Sequence, residues 1–160
     1  MKVFKFGGAS VKDAEAVKNV AEIIKTYHED RIAIVVSAMG KTTNAFEKLL
    51  RAFYLKEGNA AEELEQIKAF HFQIMENLFP DQKHKIYQEI HNTFVEVEWQ
   101  IEDEPVGTYD FEYDQMVGLG EMLSTKIISA YLEIEGIENK WLDARDIIRT
   151  DNQYRKANVD

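Results

Sequence analysis

The 160-residue chain sets 19 Lys and Arg against 29 Asp and Glu, a formal net charge of -10 that repels phosphate backbones and anionic lipid, so neither nucleic acid nor a membrane is an expected partner. The length suits one domain, and 45% hydrophobic residues can build an ordinary core. With no cysteine, no apparent signal segment and no long apolar run, disulfides and thiolate metal sites are excluded and the cytoplasm is the expected compartment.

Met1 to Phe6 reads as a strand running into Gly7-Gly8-Ala9-Ser10. Alternation places Val3 and Lys5 on one face and Phe4 and Phe6 on the other. Two glycines without Cβ atoms let backbone N–H groups approach a ligand, and a following helix adds unpaired N–H groups, so Lys5 and this loop suit an anion. The other reading is a tight turn with Lys5 reaching to solvent. Residues 11 to 28 form the next helix, with Val17, Val20, Ala21, Ile24 and Tyr27 on one face, Ser10 as its cap and Asp13 in the capping-box position.

The run 31 to 37, rich in β-branched residues, predicts a strand covered on both faces. Strand, helix and strand imply a parallel pair with a right-handed crossover, the core of an α/β layer structure. The loop from Ser37 through Ala38-Met39-Gly40-Lys41 to Thr42, Thr43 and Asn44 leaves this strand on the same edge as the first loop, and ligands of open parallel sheets bind at that edge. One of Thr42, Thr43 and Asn44 is expected to cap the following helix, which leaves at least one side chain to face a ligand.

Residues 59 to 100 are nearly all helical, with Leu64, Ile67, His71, Ile74 and Leu78 on one stripe and Ile86, Ile90, Phe94, Val97 and Ile101 on a second, divided by Pro80-Asp81. They predict a helical hairpin leaning on the sheet, a helical insertion spanning about 55 to 105. The carboxylates of Glu62, Glu63 and Glu65, and of Glu102, Asp103 and Glu104, read as solvated charge. The four histidines, His28, His71, His84 and His91, show no ligand-like cluster, and no protein-held metal is expected. After Pro105 a helix from about Asp110 to Ile134 carries apolar residues on two sides, so Glu121 should be partly buried and in need of either a structural cation or a ligand. Lys140-Trp141-Leu142 reads as a short third strand.

Three segments, Lys5-Phe6-Gly7-Gly8-Ala9-Ser10, Ser37 to Asn44 and Gly118-Leu119-Gly120-Glu121-Met122-Leu123-Ser124, resemble in order and spacing the amino-terminal part of the aspartokinases, ATP-dependent L-aspartate kinases of the amino-acid-kinase family. Trp141 to Arg145 and Arg149-Thr150-Asp151 are similar to the family's next segment, while Ala9 departs from its usual hydroxyl residue. The resemblance implies a three-layer α/β fold, a mostly parallel sheet with helices on both faces. It implies that Lys5, Phe6, Gly7 and Gly8 bind the transferred phosphoryl group of ATP, with Lys5 catalytic, and that Ser37, Thr43 and Glu121 hold L-aspartate. Magnesium would be held by ATP phosphates and water. The resemblance also makes the chain an amino-terminal fragment without the nucleotide-binding remainder or the regulatory ACT domains, inactive alone. A non-catalytic, self-associating piece is the alternative, since an incomplete sheet has an open edge, and a homo-oligomer is expected. A parent fused to homoserine dehydrogenase, or another amino-acid kinase, is a further alternative.

Overall fold

The computed structural model describes residues 1–27 and 31–159. Strand β1, Lys2–Phe6, leads through a 3-10 turn, Gly8–Val11, into helix α1, Ala14–Lys25, and back to strand β2, Ile32–Val36. The strands pair in parallel, Lys2 opposite Ile32 and Phe6 opposite Val36, as the apolar runs on either side of a crossover helix predicted. Helices α2, Thr42–Tyr54, α3, Ala60–Leu78, α4, Lys85–Glu102, α5, Tyr109–Met116, α6, Leu119–Ile134, and the short α7, Ala144–Ile147, complete the described residues.

The α/β class, the parallel sheet and the hairpin of α3 and α4 agree with the expected fold. Every residue of the predicted stripe Leu64, Ile67, His71, Ile74 and Leu78 is buried, as are Ile86, Ile90, Phe94 and Val97 on α4. The hairpin's main contacts are with α1, α2 and α6, and α6 in turn lies against β2. Phe6 and Val36 point into this helical core. The opposite sheet face is open: Val3 is 64% and Val35 51% exposed, so β2, expected to be covered on both faces, is covered on one by the described residues.

Three local expectations differ. Ser10 does not cap α1; Asp13 does, its carboxylate accepting from the Ala16 amide at 2.8 Å, because the 3-10 turn delays the helix by one turn. His28, placed at the end of that helix by the sequence reading, lies outside the described residues. The stretch 110 to 134 is two helices, broken at Val117–Gly118, where two closely spaced glycines weaken a continuous helix by about 1 kcal/mol each. Lys140-Trp141-Leu142 is no strand: Trp141 donates its indole N–H to Thr125 at 3.0 Å and lies under the Lys126 ammonium, while Asn139 is tied to Ser129. These side-chain contacts hold the segment along α6 rather than beside a strand.

Candidate active site

The three sequence segments meet at the carboxyl ends of the two strands. The Ser37 amide donates to the Phe6 carbonyl at 3.0 Å, continuing the sheet one step past β2, and the Gly40 amide donates to the Gly8 carbonyl at 3.0 Å. A Cβ on Gly8 would stand 2.8 Å from both the Ala38 and the Gly40 carbonyl oxygens, so only glycine lets the first loop sit this close to the second. Gly40 has φ +54, the left-handed region that glycine tolerates best. Gly7 meets nothing within 4 Å of a built Cβ, which leaves its backbone approachable.

The third segment joins through α6. Gly120, in its first turn, has its Cβ position 3.0 Å from Ala38 Cβ and 3.1 Å from Thr42 Cγ2, and Ser124 donates its hydroxyl to the Ser37 carbonyl at 2.9 Å. The break at Val117–Gly118 therefore places Glu121 in the first turn of a new helix, against the second loop, instead of midway along one long helix.

Polar side chains in this region divide into those already engaged and those still open. Thr42 is buried and spends its hydroxyl on the Met39 carbonyl at 2.6 Å; Ser124 and Thr125 spend theirs on backbone carbonyls. The residues singled out from the sequence do the reverse. Lys5 is exposed, Ser37, Thr43 and Glu121 are half-buried, and among the described residues none of their side chains has a hydrogen-bond or ion-pair partner. The cation that Glu121 was expected to require is thus absent from its surroundings in the described residues. None of Thr42, Thr43 and Asn44 caps α2: Lys41 occupies the cap position without a side-chain bond. Thr43 and Asn44 stay available because the Thr42 hydroxyl turns back to Met39.

Two contributions escaped the sequence reading. Ser124 ties α6 to the strand end, and Gly120 provides the close approach between them; their spacing within Gly-Leu-Gly-Glu-Met-Leu-Ser was visible, but the partners of each were not. Among the described residues no three His, Asp or Glu side chains group as metal ligands, and no helix is long and apolar enough to cross a membrane.

The structure is α/β, with a parallel strand pair whose two glycine loops and the first turn of α6 converge on one edge. The chain belongs to the amino acid kinase family, whose profile matches residues 1–160. It is 36% identical over 157 residues to aspartokinase 1, chloroplastic, of Arabidopsis thaliana, covering 94% of this chain and 27% of that relative. It is 30% identical over 159 residues to lysine-sensitive aspartokinase 3 of Escherichia coli K12, covering 99% of this chain and 34% of the relative. The solved E. coli aspartokinase III in complex with aspartate and ADP, in its R-state, superposes with a TM-score of 0.87 at 29% identity over 100% of this chain and 35% of that one. The chain thus spans about a third or less of the length of these relatives.

Proposed function

We propose that residues 1–160 carry the phosphoryl-transfer loop and the amino-acid side of an aspartate kinase, which transfers the γ-phosphoryl group of ATP to the side-chain carboxylate of L-aspartate. The observation that supports this reading is the seating of Gly8 against Ala38 and Gly40, which holds the loop after β1, next to Lys5, against the loop that runs from Ser37 to Thr43. Phosphoryl transfer asks chiefly for positioning and charge stabilisation, which a lysine beside a backbone cradle is suited to provide.

In this reading Lys5 balances charge on the transferred group, while the backbone from Phe6 through Gly8 cradles its oxygens. Glu121 takes the substrate ammonium, and Thr43 and Ser37 offer hydroxyls to the amino acid. A carboxylate oxygen of aspartate attacks the γ-phosphorus as the bond to the β–γ bridging oxygen breaks, giving 4-phospho-L-aspartate and ADP. Magnesium would be held by the ATP phosphates and water and would neutralise phosphate charge. The names of the relatives support aspartate as acceptor, including the bifunctional aspartokinase/homoserine dehydrogenase 2 of E. coli K12 at 28% identity, so a fused parent fits the same reading.

The test is hydroxamate formation from aspartate, ATP and hydroxylamine by the full-length protein encoded with these residues. Lys5→Ala should lower kcat by about 100-fold or more while changing the KM for aspartate little. Full activity in that variant would remove Lys5 from the mechanism, and turnover of glutamate in preference to aspartate would change the acceptor.

A second reading rests on the open sheet face. Val3 and Val35, exposed on the same sheet face with one register pair between them, favour self-association of the 160-residue polypeptide into a homo-oligomer. Light scattering at micromolar concentration decides it, a strict monomer counting against.

A further inference from the structure

Between α2 and α3 lies a cavity of about 260 Å³ that shares neither Lys5 nor Glu121 with the site above. Ala45, Ile67 and Phe70 make its lining mostly apolar, with Thr42 and Gln66 beside them, and the charged side chains that line it are Lys41, Lys48 and Glu63. Lys48 and Glu63 are paired at 2.8 Å, whereas Lys41 has no ion-pair partner among the described residues. The lining therefore holds one excess positive charge in a chain whose formal net charge is -10. The volume sits just below the usual range for ligand pockets, too small for a nucleotide and suited to a body of one ring or one branched chain.

We propose that this cavity is a binding site for a small organic carboxylate with an aromatic or branched apolar body, whose presence is felt at the phosphate loop. The apolar body replaces water against Ala45, Ile67 and Phe70, and the carboxylate meets Lys41 at the mouth. Coupling follows from contact. The tip of the Phe70 ring lies 3.4 Å from the Cβ position of Gly40, and Gly40 donates to Gly8 at 3.0 Å. A ligand that moves Phe70 thus presses on Gly40, whose amide bonds the second loop to the first.

Phenylacetate is the probe, titrated into the 160-residue chain at low salt and followed by the backbone amide resonances. Benzyl alcohol supplies the ring without the charge, and acetate the charge without the ring. Phenylacetate should bind at least tenfold more tightly than either, moving the amides of Lys41, Thr42, Ala45 and Ile67 and, through them, those of Gly40 and Gly8. Lys41→Gln, an exposed substitution that should fold normally, should reduce phenylacetate to the affinity of benzyl alcohol. Ala45→Leu, which fills the cavity from α2, should weaken both ring compounds about tenfold. Equal affinity for all three probes, a response that leaves Lys41, Ala45 and Ile67 unmoved, or phenylacetate binding unchanged in Lys41→Gln would overturn the site; silent Gly40 and Gly8 amides would overturn the coupling. Inorganic phosphate titrated separately reports on the Gly7-Gly8 loop, so either site can fail without the other.

Discussion

The Gly40 amide donates to the Gly8 carbonyl at 3.0 Å, and this one bond between two glycines clasps the loop after β1 to the loop after β2. Parallel strands leave their carboxyl ends on one edge, but strand pairing alone does not bring the loops beyond them into contact. The missing side chain of Gly8 does.

That clasp separates the two adjacent glycines experimentally. Gly8→Ala puts a Cβ 2.8 Å from two backbone oxygens, which must move apart, and should cost about 1 to 3 kcal/mol of stability. Gly7→Ala meets nothing within 4 Å and should stay within about 0.5 kcal/mol of the parent. Urea unfolding of the two variants checks this. Equal stability would mean that the loops are not held as closely as Gly8 implies.

The 160-residue polypeptide should bind inorganic phosphate at the Gly7-Gly8 loop only at millimolar concentration or weaker, on the order of -4 kcal/mol, because few contacts offset the immobilisation of the ion. ATP should bind little better, and aspartate should not be phosphorylated. Calorimetry with phosphate, ATP and aspartate measures all three. Micromolar ATP affinity would place an adenine site within these residues, contrary to the fragment reading.

Hydrophobic spacing made the helical core legible. The stripes on α1, α3 and α4 were written in three- and four-residue steps, and their members, including His71, are buried where the spacing placed them, except that Tyr27, past the end of α1, and Ile101, in the last turn of α4, are only half-buried. What spacing cannot encode is which of several competent partners a polar group takes. Asp13 displaced Ser10 as a cap because a 3-10 turn intervened, and Lys41 took the α2 cap position because Thr42 bonded backward to Met39. The same limit hid the break before Leu119: Gly118 and Gly120 hinted at it, but the reason for it, Gly120 packing on Ala38 and Thr42, is a contact some 80 residues away in sequence. The side chains singled out for the site were legible as residue types. That they are unspent is visible only when their neighbours' bonds are known.

Glu112 was not singled out, and it should prove a strong determinant of stability. It is 1% exposed; one carboxylate oxygen accepts from the Val106 and Gly107 amides at 2.9 Å each, and the other from Gln100 at 3.2 Å. Glu112→Ala leaves two backbone donors without their acceptor and should cost about 2 kcal/mol or more, whereas Glu112→Gln keeps one carbonyl oxygen for both amides and should cost less than half as much. Denaturant midpoints order the three proteins. If Gln were as costly as Ala, the charge rather than the accepted bonds would be the stabilising feature.

His71 should make stability depend on pH in a window above that of the carboxylates. It is fully buried between α3 and α4, edge-on to Phe70 and Phe94, with Nδ1 2.8 Å from the Ile67 carbonyl and Nε2 without a partner among the described residues. Nδ1 therefore carries the proton, and a second proton on Nε2 would put an uncompensated charge in the core. Burial accordingly lowers its pKa from 6.5 to about 4. Between those values the unfolded chain binds a proton that the folded chain refuses, so stability falls as pH drops from about 6.5 towards 4 and levels off below. The full loss is about 3 kcal/mol. The carboxylates held low by partners, such as Asp143 beside Arg145 and Asp151 beside Asn158, lose their stabilising charge only lower down, as pH falls below the ordinary carboxylate range and through their depressed values. His71→Leu should remain folded at neutral pH, with a modest loss for the altered packing, and should show a flat profile from pH 7 to 5 where the parent declines. Unfolding free energies of both proteins across that range make the comparison, and parallel profiles would show that His71 is free to take its second proton in the folded state.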